Sequence, residues 1–322
     1  MKKIFIAILI SLLSQFHTKC LAENEINIAF TIDNKYTPIS LFAMESILKN
    51  NDSNSDYNFY IVGDKLSVFN KNLLKTYAKL KNVSIKIIDA STEIIDGGRN
   101  LQEKLLPKEE LYLPRVSTAR ILLPILLPDI DRVLYIDPDI IVLSDLKELY
   151  EIELEDKPVG MVIDIMFYNP KTYNQNEYSY ANSGLMLFDL KKWREDKIVE
   201  QMISYAKERE HFEFADQDII NPVLKNNIKM LDPIWNNQWE IGIERIMVPI
   251  KGKGILHYSY KIKPWNFLPH NSKLKRIYIK NWNKSFLSVY QLYYLPQAIF
   301  YLYKSYSIEE IKHIKEKIEE NK

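Results

Sequence analysis

Val133-Leu134-Tyr135-Ile136-Asp137-Pro138-Asp139-Ile140-Ile141-Val142-Leu143 reads as an apolar strand that runs into an Asp-Pro-Asp corner and leaves as a second apolar run. Pro138 fixes one backbone dihedral and removes a ladder donor, so the strand ends or bends there. Residues i and i+2 of a strand share a face, which aims both carboxylates at one place. A buried carboxylate pair is costly unless something positive meets it. Hard divalent cations take carboxylate oxygens, and a cation bridging to a diphosphate suits this corner. The plainer alternative is a polar turn in which Asp137 or Asp139 caps backbone amides.

Upstream, Ile26 to Ile32 alternates as a strand and ends at Asp33. Thr37-Pro38 opens a helix, with Thr37 as cap and Pro38 at its first position. Asn58 to Val62 is a second strand ending at Gly63-Asp64, residues 66–80 have helical spacing, and Val83 to Ile88 is a third strand ending at Asp89. This alternation predicts a parallel sheet with helices on both faces and right-handed connections. In such a sheet the ligand sits beyond the carboxyl ends of the strands, where Asp33, Asp64, Asp89 and Asp137 all fall. Asp64 reads best as a turn aspartate.

Residues 90–113 read as a loop with a short helix. Ser117-Thr118-Ala119-Arg120 starts an apolar helix to Leu127, and Ser144 to Tyr150 is a short capped helix. Val159 to Ile165 is a strand with Asp164 near its end, followed by a polar, Tyr-rich loop over 167–180. Asn182-Ser183-Gly184 leads into a buried strand, and Gly184 there signals close backbone approach or a bulge. Lys191 to Glu208 is an amphipathic helix. Asp216-Gln217-Asp218 precedes a helical turn that Asp216 is placed to cap. His257 sits on a short strand, where a lone histidine is more often structural than a ligand.

The chain has 322 residues, 47% hydrophobic and 26% charged, the profile of a folded globular protein. Its 8 glycines form no phosphate-cradling loop, and a net charge of +1 gives no generalised attraction to nucleic acid. Residues 1–22 differ from the rest. Lys2-Lys3 precede an apolar run from Ile4 to Leu13, and Cys20-Leu21-Ala22 supplies a cleavage-like end, the pattern of a signal peptide. An uncleaved, membrane-touching helix is the alternative. The first reading implies export to a periplasm or secretory pathway, and the second the cytoplasmic face of a membrane. Cys20, the only cysteine, would leave with the peptide, which excludes disulfides and thiolate sites. Over residues 267–306, Lys273, Lys275, Arg276, Lys280 and Lys284 interleave with Trp282, Phe286, Tyr290, Tyr293 and Tyr294, a composition that suits a membrane surface or, alternatively, aromatics that cover the sheet edge as ordinary core with lysines on the wet side. Ser307 to Lys322 reads as a charged helix with isoleucines on one side.

Five stretches together carry a resemblance. They are Ile28 to Tyr36; Ser117 to Arg120; Leu134 to Ile141; Asn182-Ser183-Gly184 with Asp189 to Trp193; and Asp216-Gln217-Asp218 with His257-Tyr258 and Lys263-Pro264-Trp265. In type, order and spacing the sequence resembles glycosyltransferase family 8, in particular bacterial lipopolysaccharide glucosyl- and galactosyltransferases, with glycogenin more distant. The resemblance implies an α/β, Rossmann-like nucleotide-sugar-binding (GT-A type) mixed sheet flanked by helices. Residues 1–22 would be a leader, 23–266 the catalytic domain and 267–322 a helical, aromatic and basic extension.

It also implies retaining transfer of glucose or galactose from a UDP-sugar, with Mn²⁺ or Mg²⁺, to a glycan or lipid-linked saccharide. By matching position Asp137, Asp139 and His257 would bind the metal. Thr31, Asp33 and Tyr36 would meet uridine and ribose, Arg120 and Asn182 the donor sugar or diphosphate, and Lys263 the diphosphate. Asp164, Asp216 and Gln217 would line the sugar and acceptor side, where Gln217, a feeble nucleophile, suits a stabilising role. Lys35 departs from the family's usual Asn, and Tyr260 stands where a small Gly is usual. Two alternatives are a catalytically silent nucleotide-sugar or glycan-binding protein on the same fold, and a glycoside hydrolase using Asp164 and Asp216 as its carboxylate pair.

Overall fold

The computed structural model describes residues 24–90, 118–209, 212–240, 245–259, 263–265 and 273–282. The expectations for residues 1–22, for the loop at 90–113 beyond its first residue, for Ser117, for Tyr260 and for the helix at 307–322 lie outside these. The chain divides into two compact units, Met1–Lys261 and Ile262–Lys322. Among the described residues no helix is long and apolar enough to cross a membrane.

The first unit is built on a seven-stranded sheet of order β3-β2-β1-β4-β7-β6-β8. The strands are β1 (Glu25–Ile32), β2 (Asp56–Gly63), β3 (Ser84–Asp89), β4 (Arg132–Ile136), β6 (Val159–Ile163), β7 (Ala181–Asp189) and β8 (Ile228–Met230). β3, β2, β1 and β4 run parallel, as the sequence predicts for the first three, and β7 runs antiparallel to both its neighbours. The chain works outward from β1 to β3 and then returns to β4 on the other side of β1. That reversal opens a crevice at the carboxyl ends of β1 and β4. Asp33 follows β1 and Asp137 follows β4, so the topology brings both to the crevice.

β5 (Ile140–Val142) belongs to a second sheet of order β10-β9-β11-β5, with β9 (Asn237–Glu240), β10 (Arg245–Ile246) and β11 (Ile255–His257). The Asp137-Pro138-Asp139 corner is therefore where the chain leaves one sheet and enters another. Ile136, Ile140, Ile141 and Val142 are all buried, so hydrophobic burial fixes both sides of the corner, each such side chain contributing about 1.5–3 kcal/mol.

Three local expectations are corrected. Thr37 does not cap helix α1 (Thr37–Lys49), and Pro38 is not its first residue. Asp33 organises this entry: its Oδ1 accepts from the amides of Lys35 and Tyr36, both at 2.9 Å, and its carbonyl accepts from Thr37 Oγ1. An aspartate in an Asx turn outcompetes threonine because one carboxylate oxygen serves two orphan amides. The segment after Thr118 is a 3-10 turn, Ala119–Leu122, running into a single α turn, Leu123–Leu126. The helix expected over 191–208 breaks in two, Leu190–Glu195 and Ile198–Lys207, at Lys197 with φ +50. In one straight helix Trp193 and Met202 would point in opposite directions. The break lets both be fully buried.

The second unit contains Lys263, Pro264, Trp265 and a helix, Lys273–Trp282, with the Trp265 and Tyr278 rings 5.6 Å apart.

Candidate functional site

The centre of the site is Asp137, Asp139 and His257, whose ligand atoms lie within 4.8 Å of one another. His257 Nε2 is 3.4 Å from Asp139 Oδ1 and 3.9 Å from Asp137 Oδ2. Backbone pairing sets this geometry. His257 on β11 lies opposite Ile140 on β5, and Tyr258 N donates to Asp139 O. Asp137 is held from the other side, its amide donating to Gly184 O on β7 at 2.8 Å. Gly184 is required for space. A Cβ there would collide with His257 Cε1 and lie 2.9 Å from both Asn182 Oδ1 and Asp137 Oδ2. The close approach expected of this glycine is thus an approach to the acidic centre. Two carboxylates and one imidazole nitrogen, converging on a space that a methyl group would fill, fit a divalent cation.

Arg120, 5% exposed, binds the carboxylates from beneath. Its Nη2 is 3.1 Å from Asp137 Oδ1, its Nε is 3.3 Å from Asp216 Oδ2, and its Nη1 donates to Ser183 O and Oγ. Burial by itself lowers the guanidinium pKa, but Asp137 and Asp216 more than offset it and raise it. Burial pushes the Asp216 carboxyl above the usual range, and Arg120 opposes that shift. Asp216 precedes the helix Gln217–Leu224 without a side-chain cap bond, so the capping expectation fails because the side chain turns to Arg120. The Tyr135 ring lies 4.6 Å below the guanidinium carbon. Burial keeps its hydroxyl a phenol, which donates to Asp137 Oδ1 at 2.5 Å and lies 3.0 Å from Thr31 Oγ1. Tyr36 belongs to the same cluster. Burial and the charges of Asp139, Asp137 and Asp33 push its hydroxyl far above the ordinary phenol range.

The other flank is a frame of amides. Asn182 Nδ2 donates to Asp164 Oδ2 at 2.9 Å and to Gln217 Oε1 at 2.8 Å. Gln217 Oε1 also accepts from Ser183 N at 3.0 Å, and Gln217 Nε2 donates to Asp164 Oδ2 at 3.3 Å. Asn182 Oδ1 accepts from Gly184 N and Asn236 Nδ2, both at 2.9 Å. Asn236 Oδ1 is 2.7 Å from His257 Nδ1.

Hydrogen bonds and ion pairs therefore join Thr31, Arg120, Asp137, Asp139, Asp164, Asn182, Asp216, Gln217 and His257 in one network, and Asp33 and Tyr36 adjoin it, with Tyr36 feeling the charges of Asp137 and Asp139. Lys263 lies in the second unit. Asp64 stands at a turn, and Asp89 is paired with Lys71 at 3.2 Å. Tyr135, Ser183 and Asn236 were not legible as site residues. Tyr135 hides in an apolar run and Asn236 in an aromatic loop. The alternation of β4 was the available signal, since it puts Tyr135 and Asp137 on one face.

The family profile described as glycosyl transferase family 8 matches residues 27–268. General stress protein A of Bacillus subtilis is 27% identical over 239 residues, which cover 69% of this chain and 80% of that protein. A lipopolysaccharide 1,2-glucosyltransferase of Escherichia coli K12 is 24% identical over 263 residues, covering 75% and 73%. A Haemophilus influenzae protein, provisionally named a glycosyltransferase, is 26% identical over 216 residues, and the match spans 62% of its length. Among solved structures, the galactosyltransferase LgtC in complex with donor and acceptor sugar analogs superposes with TM-score 0.64 at 21% identity, covering 81% of this chain and 96% of that one. The apo bifunctional glycosyltransferase WbbM gives TM-score 0.64 at 20% identity, covering 83% and 51%. Likeness at this identity establishes the GT-A fold. The profile spans every residue of the network described above, and on that match the chain belongs to glycosyltransferase family 8.

Proposed function

We propose that this chain is a retaining glycosyltransferase that moves glucose or galactose from a UDP-sugar to a saccharide acceptor, with Mn²⁺ or Mg²⁺ held by Asp137, Asp139 and His257. The observation that carries the reading is the convergence of those three ligands around Gly184. A bound cation would supply charge neutralisation to the diphosphate, without which UDP leaves poorly. The remaining roles fall to the chain's own groups. Arg120 keeps its charge beside Asp137 and can stabilise the departing diphosphate. Tyr36, Thr31 and the second oxygen of Asp33 are assigned to the nucleoside, and Lys263 to the diphosphate by sequence position.

Asn182, Asp164, Asp216 and Gln217 are assigned to the sugar and acceptor side. Gln217 Oε1 already accepts two hydrogen bonds, so both its lone pairs are engaged. That favours a positioning and stabilising role over nucleophilic attack. Asp164 and Asp216 accept from Asn182 and Gln217 and face Arg120, respectively.

Residues 23–266 would form the catalytic domain and 267–322 an extension. A lipid-linked acceptor, such as a lipopolysaccharide precursor, and membrane contact rest on the sequence of the tail alone. The test is UDP release and product formation from UDP-glucose and UDP-galactose on a panel of bacterial oligosaccharides. Transfer with retained anomeric configuration, abolished by EDTA and restored by Mn²⁺, supports the reading. UDP binding without turnover on any glycan would identify a silent binding protein instead.

A further inference from the structure

We infer that Asn236 is a positioning residue that fixes the tautomer of His257, presenting a bare Nε2 to the acidic centre. This rests on the metal reading above, and two backbone amides fix the hydrogen-bond polarity from which it follows. Gly184 N–H can only donate, so the atom of Asn182 it meets is the carbonyl oxygen. Asn182 Nδ2 must then face Asp164 and Gln217, which agrees with Asp164 being an acceptor. Ser183 N–H fixes the Gln217 amide independently, because its donor meets Gln217 Oε1. With Asn182 Oδ1 assigned as acceptor, the Asn236 atom 2.9 Å away must be the NH₂ group. Asn236 Oδ1 therefore faces His257 Nδ1 at 2.7 Å, and a carbonyl oxygen there demands N–H from the ring. The amide orientations follow from fixed backbone donors.

The consequence is at the other nitrogen. With its proton on Nδ1, the neutral ring presents the Nε2 lone pair toward Asp139 Oδ1 and Asp137 Oδ2. Lone pairs facing one another across 3.4 and 3.9 Å repel unless a cation lies among them. Asn236 is 1% exposed and His257 2%, so no bulk water competes for Nδ1. Partners that hold the second nitrogen of a ligating histidine set its orientation and basicity. Here the relay also joins the metal ligands to Asn182, Asp164 and Gln217, the groups assigned to the sugar.

The direct test is the histidine tautomer in the parent protein, read from long-range ¹H–¹⁵N correlations on ¹⁵N-histidine-labelled, metal-free protein at alkaline pH. The chain has 5 histidines, and His257→Gln assigns the signal. A ring protonated at Nδ1 alone is expected. A proton on Nε2, alone or with Nδ1, overturns the inference. Calorimetric titration with Mn²⁺ provides the second readout. Asn236→Leu keeps the volume and removes the acceptor, and should weaken Mn²⁺ binding by roughly 10- to 100-fold. Asn236→Asp restores an acceptor for Nδ1 but loses the donor to Asn182 Oδ1, and should recover part of that loss. Parental affinity in Asn236→Leu, or equal loss in both variants, overturns the positioning role. The tautomer itself is read on the parent protein, and a variant serves only to assign its signal. A parent with Nδ1 protonated that binds no Mn²⁺ would sink the metal reading while leaving the relay intact.

Discussion

Gly184→Ala is the smallest change that reaches the acidic centre. The backbone there is not in the left-handed region, so the added methyl acts through space alone. It would collide with His257 Cε1 and sit 2.9 Å from Asp137 Oδ2 and Asn182 Oδ1. A carbon–oxygen contact settles near ~3.3 Å, so each oxygen must retreat by about 0.4 Å and the ring by more. Metal–ligand distances tolerate only about 0.2 Å. The ring cannot swing away freely, because β11 is pinned between β5 and β9 and Nδ1 is held by Asn236. The expected cost is ~1–3 kcal/mol of overpacking in urea unfolding, together with a tenfold or greater loss of Mn²⁺ affinity, about 1.4 kcal/mol, by calorimetry. An alanine variant that binds Mn²⁺ as tightly as the parent and unfolds at the same urea concentration would refute the reasoning.

Arg120→Met leaves the buried Asp216 and the half-buried Asp137 without their cation, and the unpaired buried carboxylate should destabilise the fold by about 3–5 kcal/mol in urea. Because burial already raises the Asp216 pKa, the deficit should be least in acid, where that carboxyl is protonated, and grow as pH rises through its folded value. A pH-independent deficit would contradict this. Asp145 is a contrasting case. Burial opposes its charge, but the amides of Lys147 and Ser53, at 2.7 and 2.6 Å, lower its pKa. Asp145→Ala should therefore lose about 1–2 kcal/mol at neutral pH, and the gap should close as pH falls below the ordinary value of ~3.9 through the lower folded one. A form lacking residues 1–22 should co-sediment with anionic vesicles at low salt and release as salt screens the charges. If it stays in the supernatant, the tail does not dock on membranes.

Much of the arrangement could be read from the chain before any coordinates. Asp137-Pro138-Asp139 marked a strand end because proline cannot continue a ladder, and that end proved to be the passage between two sheets. The strand-end acids located the crevice, because parallel strands carry their carboxyl ends to one side. Periodicity could not separate Asp33 and Asp137 from Asp64 and Asp89, since only the sheet order decides which strand ends are central. The break at Lys197 was hidden because each half of 191–208 has good helical spacing, and only packing reveals that the two faces must be rotated. Tyr135 and Asn236 were missed because their roles depend on partners far along the chain, Thr31 and Asn182. The second sheet pairs Ile140 with His257, a contact across more than a hundred residues that no local pattern encodes.

The most direct measurement is calorimetric titration of the parent and of Asp139→Asn with UDP, each with and without Mn²⁺. Asp139 is buried beside His257 and can offer a cation an anionic oxygen that asparagine lacks. The account predicts that the parent binds UDP at least tenfold more tightly with Mn²⁺, a coupling of about 1.4 kcal/mol or more. In folded Asp139→Asn protein that enhancement should vanish. UDP binding in the parent that is indifferent to Mn²⁺, or an enhancement that survives in Asp139→Asn, would contradict it.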